Sequence, residues 1–197
     1  RFNYDTFTES YINRDHDYHT LLHNMSELAK KLYMHREKKW ALKFNESDRK
    51  ISQENKTHIA HFIIQEFMIC ANRCISKFLI EKKINAIHRN HMPDFKHKHI
   101  PLRDIERAYY GSQMKYHKWL EESFYTHFTS PIRRLCDLIV HRQIKAFLRN
   151  DEIPYTQEDL SFLSTHINTQ RSVIEILWRN HIYHTKITKL VRKTKKQ

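Results

Sequence analysis

A single glycine, Gly111, stands in a chain of 197 residues, where average usage of about 7% would supply more than ten. Glycine provides the positive-φ positions of hairpin turns, bulges and phosphate-cradling loops. One copy argues against an all-β fold, a P-loop and a dinucleotide fingerprint, each of which needs several glycines at fixed places. Helices remain as the main building element. With 40% hydrophobic and 12% aromatic residues the chain has the material for a core, since a domain of roughly 150 to 200 residues hides about 70% of its unfolded surface. The expected class is α+β, predominantly helical, with 1–197 forming a single domain.

Hydrophobic spacing predicts the elements. Leu21, Leu22, Met25, Leu28, Ala29 and Leu32 form an amphipathic stripe in a helix expected from Ser10 to Trp40. A short strand is read at Ala41–Phe44, and a polar loop or edge follows to Lys56. The segment Thr57–Lys83 is apolar nearly all round, which suggests a helix at the centre of the domain. Asn85–His91 reads as a strand, Asp94–Pro101 as a basic loop, Leu102–Tyr110 as helix-compatible and Tyr116–Phe128 as extended. A helix punctuated by Ser130 as N-cap and Pro131 at its first position ends at Asp151–Pro154. A last long helix from Gln157 runs into the basic tail 186–197, read as a solvated helix end. No internal repeat or domain linker is visible.

The chain carries Lys+Arg 35 against Asp+Glu 22, a formal charge of +13, with 16 histidines besides. The expected partner is an anion. Three cysteines, Cys70, Cys74 and Cys136, do not make a disulfide scaffold and favour a reducing compartment; the expected location is cytoplasmic. No apolar run reaches about 18 residues, so no membrane partner is expected. The start at Arg1 lacks a methionine and leaves open a trimmed chain or a piece of something longer.

The helix expected from Ser130 contains an electrostatic contradiction. Arg133 and Arg134 lie in its first turn, where the partial positive charge of a helix N-terminus prefers acids. A phosphate held by first-turn N–H groups, the Thr129 and Ser130 hydroxyls and a guanidinium would resolve it. The other resolution turns both arginines to solvent or pairs them with Asp137 or Glu121.

The whole string Tyr125-Thr-His-Phe-Thr-Ser-Pro-Ile-Arg-Arg-Leu-Cys-Asp-Leu-Ile-Val-His-Arg-Gln-Ile144 closely resembles the hallmark segment of the ribonuclease II / ribonuclease R (RNB) family of 3′-to-5′ hydrolytic exoribonucleases. The family's usual form is Tyr-x-His-Phe-Thr-Ser-Pro-Ile-Arg-Arg-Tyr-x-Asp-Leu-x-x-His-Arg. Further stretches resemble the family in its own order: Leu28–Phe44 with Arg36 at an arginine position, Ile63-Ile-Gln-Glu-Phe-Met-Ile-Cys-Ala-Asn72, His88-Arg-Asn-His-Met-Pro93, and His117–Tyr125. Residues from about 21 to 177 look like the C-terminal half of the catalytic domain, a partial RNB-type domain.

The resemblance implies that Arg133 contacts RNA phosphate near the scissile bond, with Arg134 beside it. It implies that Tyr125, His127, Thr129, Ser130, Gln65 and Glu66 line the path of single-stranded RNA. Pro131, Asp137, His141, Arg142 and Asn72 would give structural support. Such a narrow basic channel with aromatic stacking suits single-stranded RNA. Magnesium, held in the family by an aspartate cluster in an Asp-x-Asp-Asp setting, finds no such ligands here; Arg14-Asp15-His16-Asp17 lies too close to Glu66 to be that cluster. The chain alone is therefore expected to be inactive, with the missing half of the catalytic domain as a partner and no small-molecule cofactor. The alternative is a catalytically inactive remnant that binds RNA or serves only as structure.

Departures from the family pattern sharpen that alternative. Gln65 replaces the first glutamate of a pair, Leu135 replaces a tyrosine, and Trp119 and Glu121 stand where the family has small residues. A family glutamate near the RNA 3′ end has Ser172 or Glu175 as its counterpart. Zinc at His/Cys pairs is not expected, because cysteines four apart on an apolar helix act as small core residues. Ser130, His127 and Asp137 make no hydrolase triad without a glycine-bearing nucleophile elbow.

Overall fold

The computed structural model describes residues 3–14, 17–39, 58–91, 108–117, 120 and 122–194. Five helices and two short strands follow in the order α1 (Tyr4–Asn13), α2 (His19–Lys39), α3 (His58–Glu81), β1 (His88–Asn90), β2 (Tyr109–Gly111), α4 (Leu135–Arg149) and α5 (Gln157–Thr194). The helical α+β expectation holds. The readings at 41–56 and 94–101, and Trp119 and Glu121, lie outside the described residues. Among the described residues no helix is long and apolar enough to cross a membrane.

The single helix expected over Ser10–Trp40 is two helices. A capping box opens α1, with Asn3 Oδ1 accepting from Thr6 N at 2.8 Å and Thr6 Oγ1 accepting from Asn3 N at 2.9 Å. Arg14 then enters the left-handed region at φ 53° and ends the helix, its N–H bonding Ser10 O. Packing explains the break: α1 folds back so that Phe7 joins Leu22, Ala29, Ala60 and Ile63 in one core. Only part of the stripe read from α2 points inward. Leu22 and Ala29 are buried, whereas Leu21 and Leu28 are exposed, because Ser26 and Arg36 share the inner face.

Helix α3 is the central element that its composition indicates. Its first half serves the core with α1 and α2; its second half, through Ile75, Phe78 and Leu79, serves another with Ile84, Val140 and Ile144. A left-handed Lys83, φ 55°, turns the chain so that Ile84 N bonds Leu79 O at 2.8 Å. Strand β1 then pairs antiparallel with β2, Arg89 opposite Tyr110. The described end of the segment read as helix-compatible, Tyr109–Gly111, is thus a strand. Its edge is held by Asn168 of α5, which accepts from Tyr110 N at 2.9 Å and donates to Tyr110 O at 2.8 Å.

Residues 116–128 were expected to be extended; where described they are irregular, with isolated bridges at His117 to His91 and Glu122. Their ladder goes partly to β1, Arg89 N donating to Tyr125 O at 2.8 Å. Helix α4 starts at Leu135, five residues after the expected cap at Ser130, and Arg134 is its N-cap, with no side-chain bond capping the helix backbone. The reason is Asp137, treated below. Helix α4 ends at a left-handed Asn150 and packs with α5 around Ile87, Tyr110, Cys136, Ile139 and Leu160.

Candidate nucleic-acid interface

The segment 125–134 carries most of the residues that sequence reasoning singled out, and side chains on α3 and α4 pin it. Asn72, on α3 and 3% exposed, makes three bonds to it. Its Nδ2 donates to Tyr125 Oη at 2.8 Å, and its Oδ1 accepts from Phe128 N at 2.9 Å and Thr129 N at 3.3 Å. From α4, His141 Nε2 donates to Phe128 O at 2.8 Å while its ring stacks on Phe128 with centroids 3.9 Å apart. Thr126 Oγ1 donates to Ile87 O at 2.5 Å. Backbone groups that cannot pair in a regular ladder are satisfied by side chains instead.

Asp137 resolves the electrostatic contradiction. It occupies the first turn of α4, where a carboxylate is favoured, and is fully buried. Its Oδ1 accepts from Ser130 N at 2.8 Å and from Arg134 Nη2 at 2.9 Å. The chain between Ser130 and Arg134 is thereby closed into a turn, with Arg133 N and Arg134 N both reaching Ser130 O. Ser130 is therefore not the N-cap, and Pro131 is not at the first helical position. The pairing read as the alternative to phosphate holds for Arg134. Arg133 differs: it is exposed beside a 99% exposed Ile132, and its guanidinium has no hydrogen bond or ion pair among the described residues.

Behind this turn lies an electropositive interior. Arg89, from β1, is buried, stacks over the Tyr110 ring at 4.6 Å, and leaves Nη1 without a hydrogen bond. Burial pulls its guanidinium down to about 10. Arg134 Nε and Thr129 Oγ1 are also buried without a partner among the described residues. His127 Nδ1 is hydrogen-bonded with Tyr110 Oη at 2.8 Å; burial first, then Arg134 and Arg89, push its pKa down to about 2, so the ring is neutral. Burial likewise raises the Tyr125 hydroxyl.

Other expected residues fall elsewhere. Glu66 is a buried ion-pair partner, its Oε1 2.6 Å from Arg36 Nη2 and its Oε2 3.3 Å from Arg36 Nε. That geometry leaves it no open face for RNA, whereas Gln65, one residue earlier, is exposed. Tyr125 is 4% exposed and offers no open stacking surface in this chain. Arg142, on α4, donates to Tyr155 Oη at 2.6 Å and so ties the helix to the segment that leads into α5. Ser172 Oγ turns back to Asn168 O, and Glu175 lies 3.2 Å from Arg171 Nε. Sequence reasoning missed Arg89, Tyr110, Asn168 and Gln143. Gln143, buried, bonds Asn85 O and Tyr155 O at 3.0 Å each.

One group could be considered for a metal: ligand atoms of His127, Cys136 and Asp137 lie within 4.8 Å of one another. They do not fit magnesium, which wants several hard oxygens. Both Asp137 oxygens already accept hydrogen bonds, the second from Cys136 Sγ at 3.2 Å. Burial pushes the Cys136 thiol up to about 11, and two arginines stand nearby.

This architecture is shared with known proteins. Ribonuclease R of Aquifex aeolicus is 29% identical over 164 residues, covering 60% of this chain and 23% of the relative. The fold matches Mycoplasma genitalium RNase R, solved in complex with ribose-methylated single-stranded RNA, at TM-score 0.70 and 19% identity over 91% of this chain and 38% of that one. It matches the Dss1 exoribonuclease of Candida glabrata at TM-score 0.76, also at 19% identity, over 91% of this chain and 28% of that one. The chain thus spans about a quarter of the Aquifex relative. The RNB domain family matches residues 1–102 and 96–150. This chain belongs to the RNB domain family.

Proposed function

We propose that this chain forms the phosphate-holding part of a 3′-to-5′ hydrolytic exoribonuclease acting on single-stranded RNA, with Arg133 as the residue that meets the RNA backbone near the reacting phosphate. The observation that carries this reading is the contrast between Arg133 and its anchorage. Its neighbours are fixed by Asn72, His141 and Asp137, yet its own guanidinium is exposed and unengaged among the described residues. A rigid turn that presents a free guanidinium is preorganised for a phosphate, which arginine binds through two parallel hydrogen bonds. Arg134 and Arg89 add positive charge behind it, and Thr129 and Ser130 lie at its base.

The chain's residues would hold and orient the strand; no step is assigned to magnesium, whose hard-oxygen ligands these residues do not supply. The remainder of a catalytic domain would bring them. Binding of a labelled single-stranded oligoribonucleotide, titrated at two salt concentrations, tests the reading. Arg133→Ala should weaken binding about tenfold and lower the salt slope by about one. Equal affinity and slope in wild type and variant would remove Arg133 from the interface. Nucleotide release from 3′-labelled RNA by this chain alone with magnesium would overturn the placement of the metal centre elsewhere.

A further inference from the structure

Two of the three cysteines stand one turn apart on α3. Cys136 is buried, but Cys70 is only partly buried and Cys74 is exposed. Spacing alone reads cysteines four apart on an apolar helix as small core residues; Cys74 departs from that reading, and exposure is uncommon for a residue type that is among the most buried. The two thiols are neighbours. Burial first, then the adjacent Cys74, pushes the Cys70 thiol up, while Arg73 acts in the opposite direction. Arg73 is held by an ion pair with Glu122 at 2.7 Å, and exposed Lys77, three residues beyond Cys74, lies 3.6 Å from Glu81 Oε1. The thiol pair therefore sits on the outer side of α3 with two cations close to it.

Distance decides what such a pair can do. Side chains four apart on a helix have Cβ atoms about 5 to 6 Å from each other, whereas a disulfide needs about 3.5 to 4.5 Å. Closing an S–S bond would mean distorting the middle of α3, whose two halves are packed in separate cores through Ile63 and Leu79. Two metal–sulfur bonds of about 2.3 Å each reach across as much as about 4.6 Å between sulfurs, so a bridging ion leaves the backbone where it is. Donor number then selects the ion. Structural zinc takes four ligands, and magnesium and calcium take oxygens. Among the described residues the one group of three close donors is His127, Cys136 and Asp137, none of them on α3. Two thiolates without a third donor suit a soft ion of low coordination number, and among biological metals thiolates favour Cu(I). Binding releases one proton from each thiol and leaves a bis-thiolate unit with one negative charge, next to which Arg73 and Lys77 are favourably placed.

We propose that Cys70 and Cys74 form a surface site on α3 that captures one Cu(I) ion between two thiolates. This inference is independent of the RNA reading of Arg133. The test titrates the reduced whole chain, in the absence of oxygen, into Cu(I) held by the chromophoric chelator bicinchoninate. Wild type should withdraw one Cu(I) more than Cys74→Ser does at the same chelator concentration, with thiolate-to-copper absorption in the ultraviolet that the variant lacks. Cys74→Ser changes an exposed side chain and should keep the wild-type circular dichroism and melting. X-ray absorption of the loaded chain should show two sulfur neighbours around copper. Equal withdrawal by wild type and Cys74→Ser, or a shell of nitrogen alone, would overturn the proposal and leave the histidines as the ligands. Zinc that displaces Cu(I) at equal concentration would overturn the choice of a two-coordinate ion. A Cys70–Cys74 disulfide that forms under mild oxidant with helix content unchanged would refute the distance argument itself.

Discussion

Acidification from pH 7 to pH 5 should destabilise this fold by about 3 to 5 kcal/mol, because three buried histidines must be neutral in it. Burial pushes His88 down to about 4. Burial, with His91 and Arg89 alongside, does the same to His117, also to about 4. His127 falls to about 2 through burial, Arg134 and Arg89. An unfolded histidine titrates near 6.5. Below that value the unfolded chain takes up protons that the folded chain refuses, so stability is retained above pH 6.5 and falls as pH drops toward 4. At pH 5 each histidine costs about 2 kcal/mol relative to pH 7. His117 and His127 share part of the same field, so the expected total is about 3 to 5 kcal/mol, against roughly 5 to 15 kcal/mol for an ordinary domain.

The assay is urea unfolding followed by circular dichroism at pH 7.5, 6 and 5, at constant ionic strength. The midpoint should fall steadily across this window, and His117→Gln should flatten the slope by roughly a third. A midpoint that stays level or rises between pH 7.5 and 5, with unchanged denaturant sensitivity, would refute the reasoning. So would a His117→Gln slope equal to that of wild type.

Two further expectations concern the scaffold of the site. Asn72→Ala removes the acceptor of Phe128 N and Thr129 N and the donor to Tyr125 Oη; it should cost about 3 kcal/mol in urea unfolding, and the Arg133 turn should become sensitive to limited proteolysis. Glu66→Gln leaves Arg36 charged and buried, with an expected loss of about 3 to 5 kcal/mol. Replacing both partners with hydrophobic residues, Arg36→Met with Glu66→Leu, should recover most of it in the same measurement.

The parts of this molecule legible in the sequence are those written contiguously. The run from Tyr125 to Ile144 carries the family, the apolar run after His58 gives the central helix, and the Asp151–Pro154 break follows α4 as expected. The misses occur where a distant contact decides. Ser130 has the local chemistry of a cap, but Asp137 takes its N–H and moves the helix start to Leu135. Arg89 and Tyr110 are far apart in sequence and meet only because β1 pairs with β2. One distinction was readable from helix spacing alone: Glu66 lies three residues after buried Ile63 and so faces inward, while Gln65 does not.

The scarcity of glycine takes on a second meaning in the structure. Among the described residues three left-handed positions end or turn helices, at Arg14, Lys83 and Asn150. None is glycine, although a bulky residue there costs roughly 1 to 2 kcal/mol. Gly111 has no positive φ. Space is what it provides: a Cβ there would lie 3.0 Å from Asn90 Nδ2, and that amide donates to Gln113 O at 2.9 Å while its Oδ1 accepts from Lys115 N at 3.0 Å. The lone glycine thus lets Asn90 tie the turn after β2 to β1, the strand that carries Arg89 beneath the Arg133 turn. Its position is set by close packing beside the candidate interface, and the helix ends manage without it.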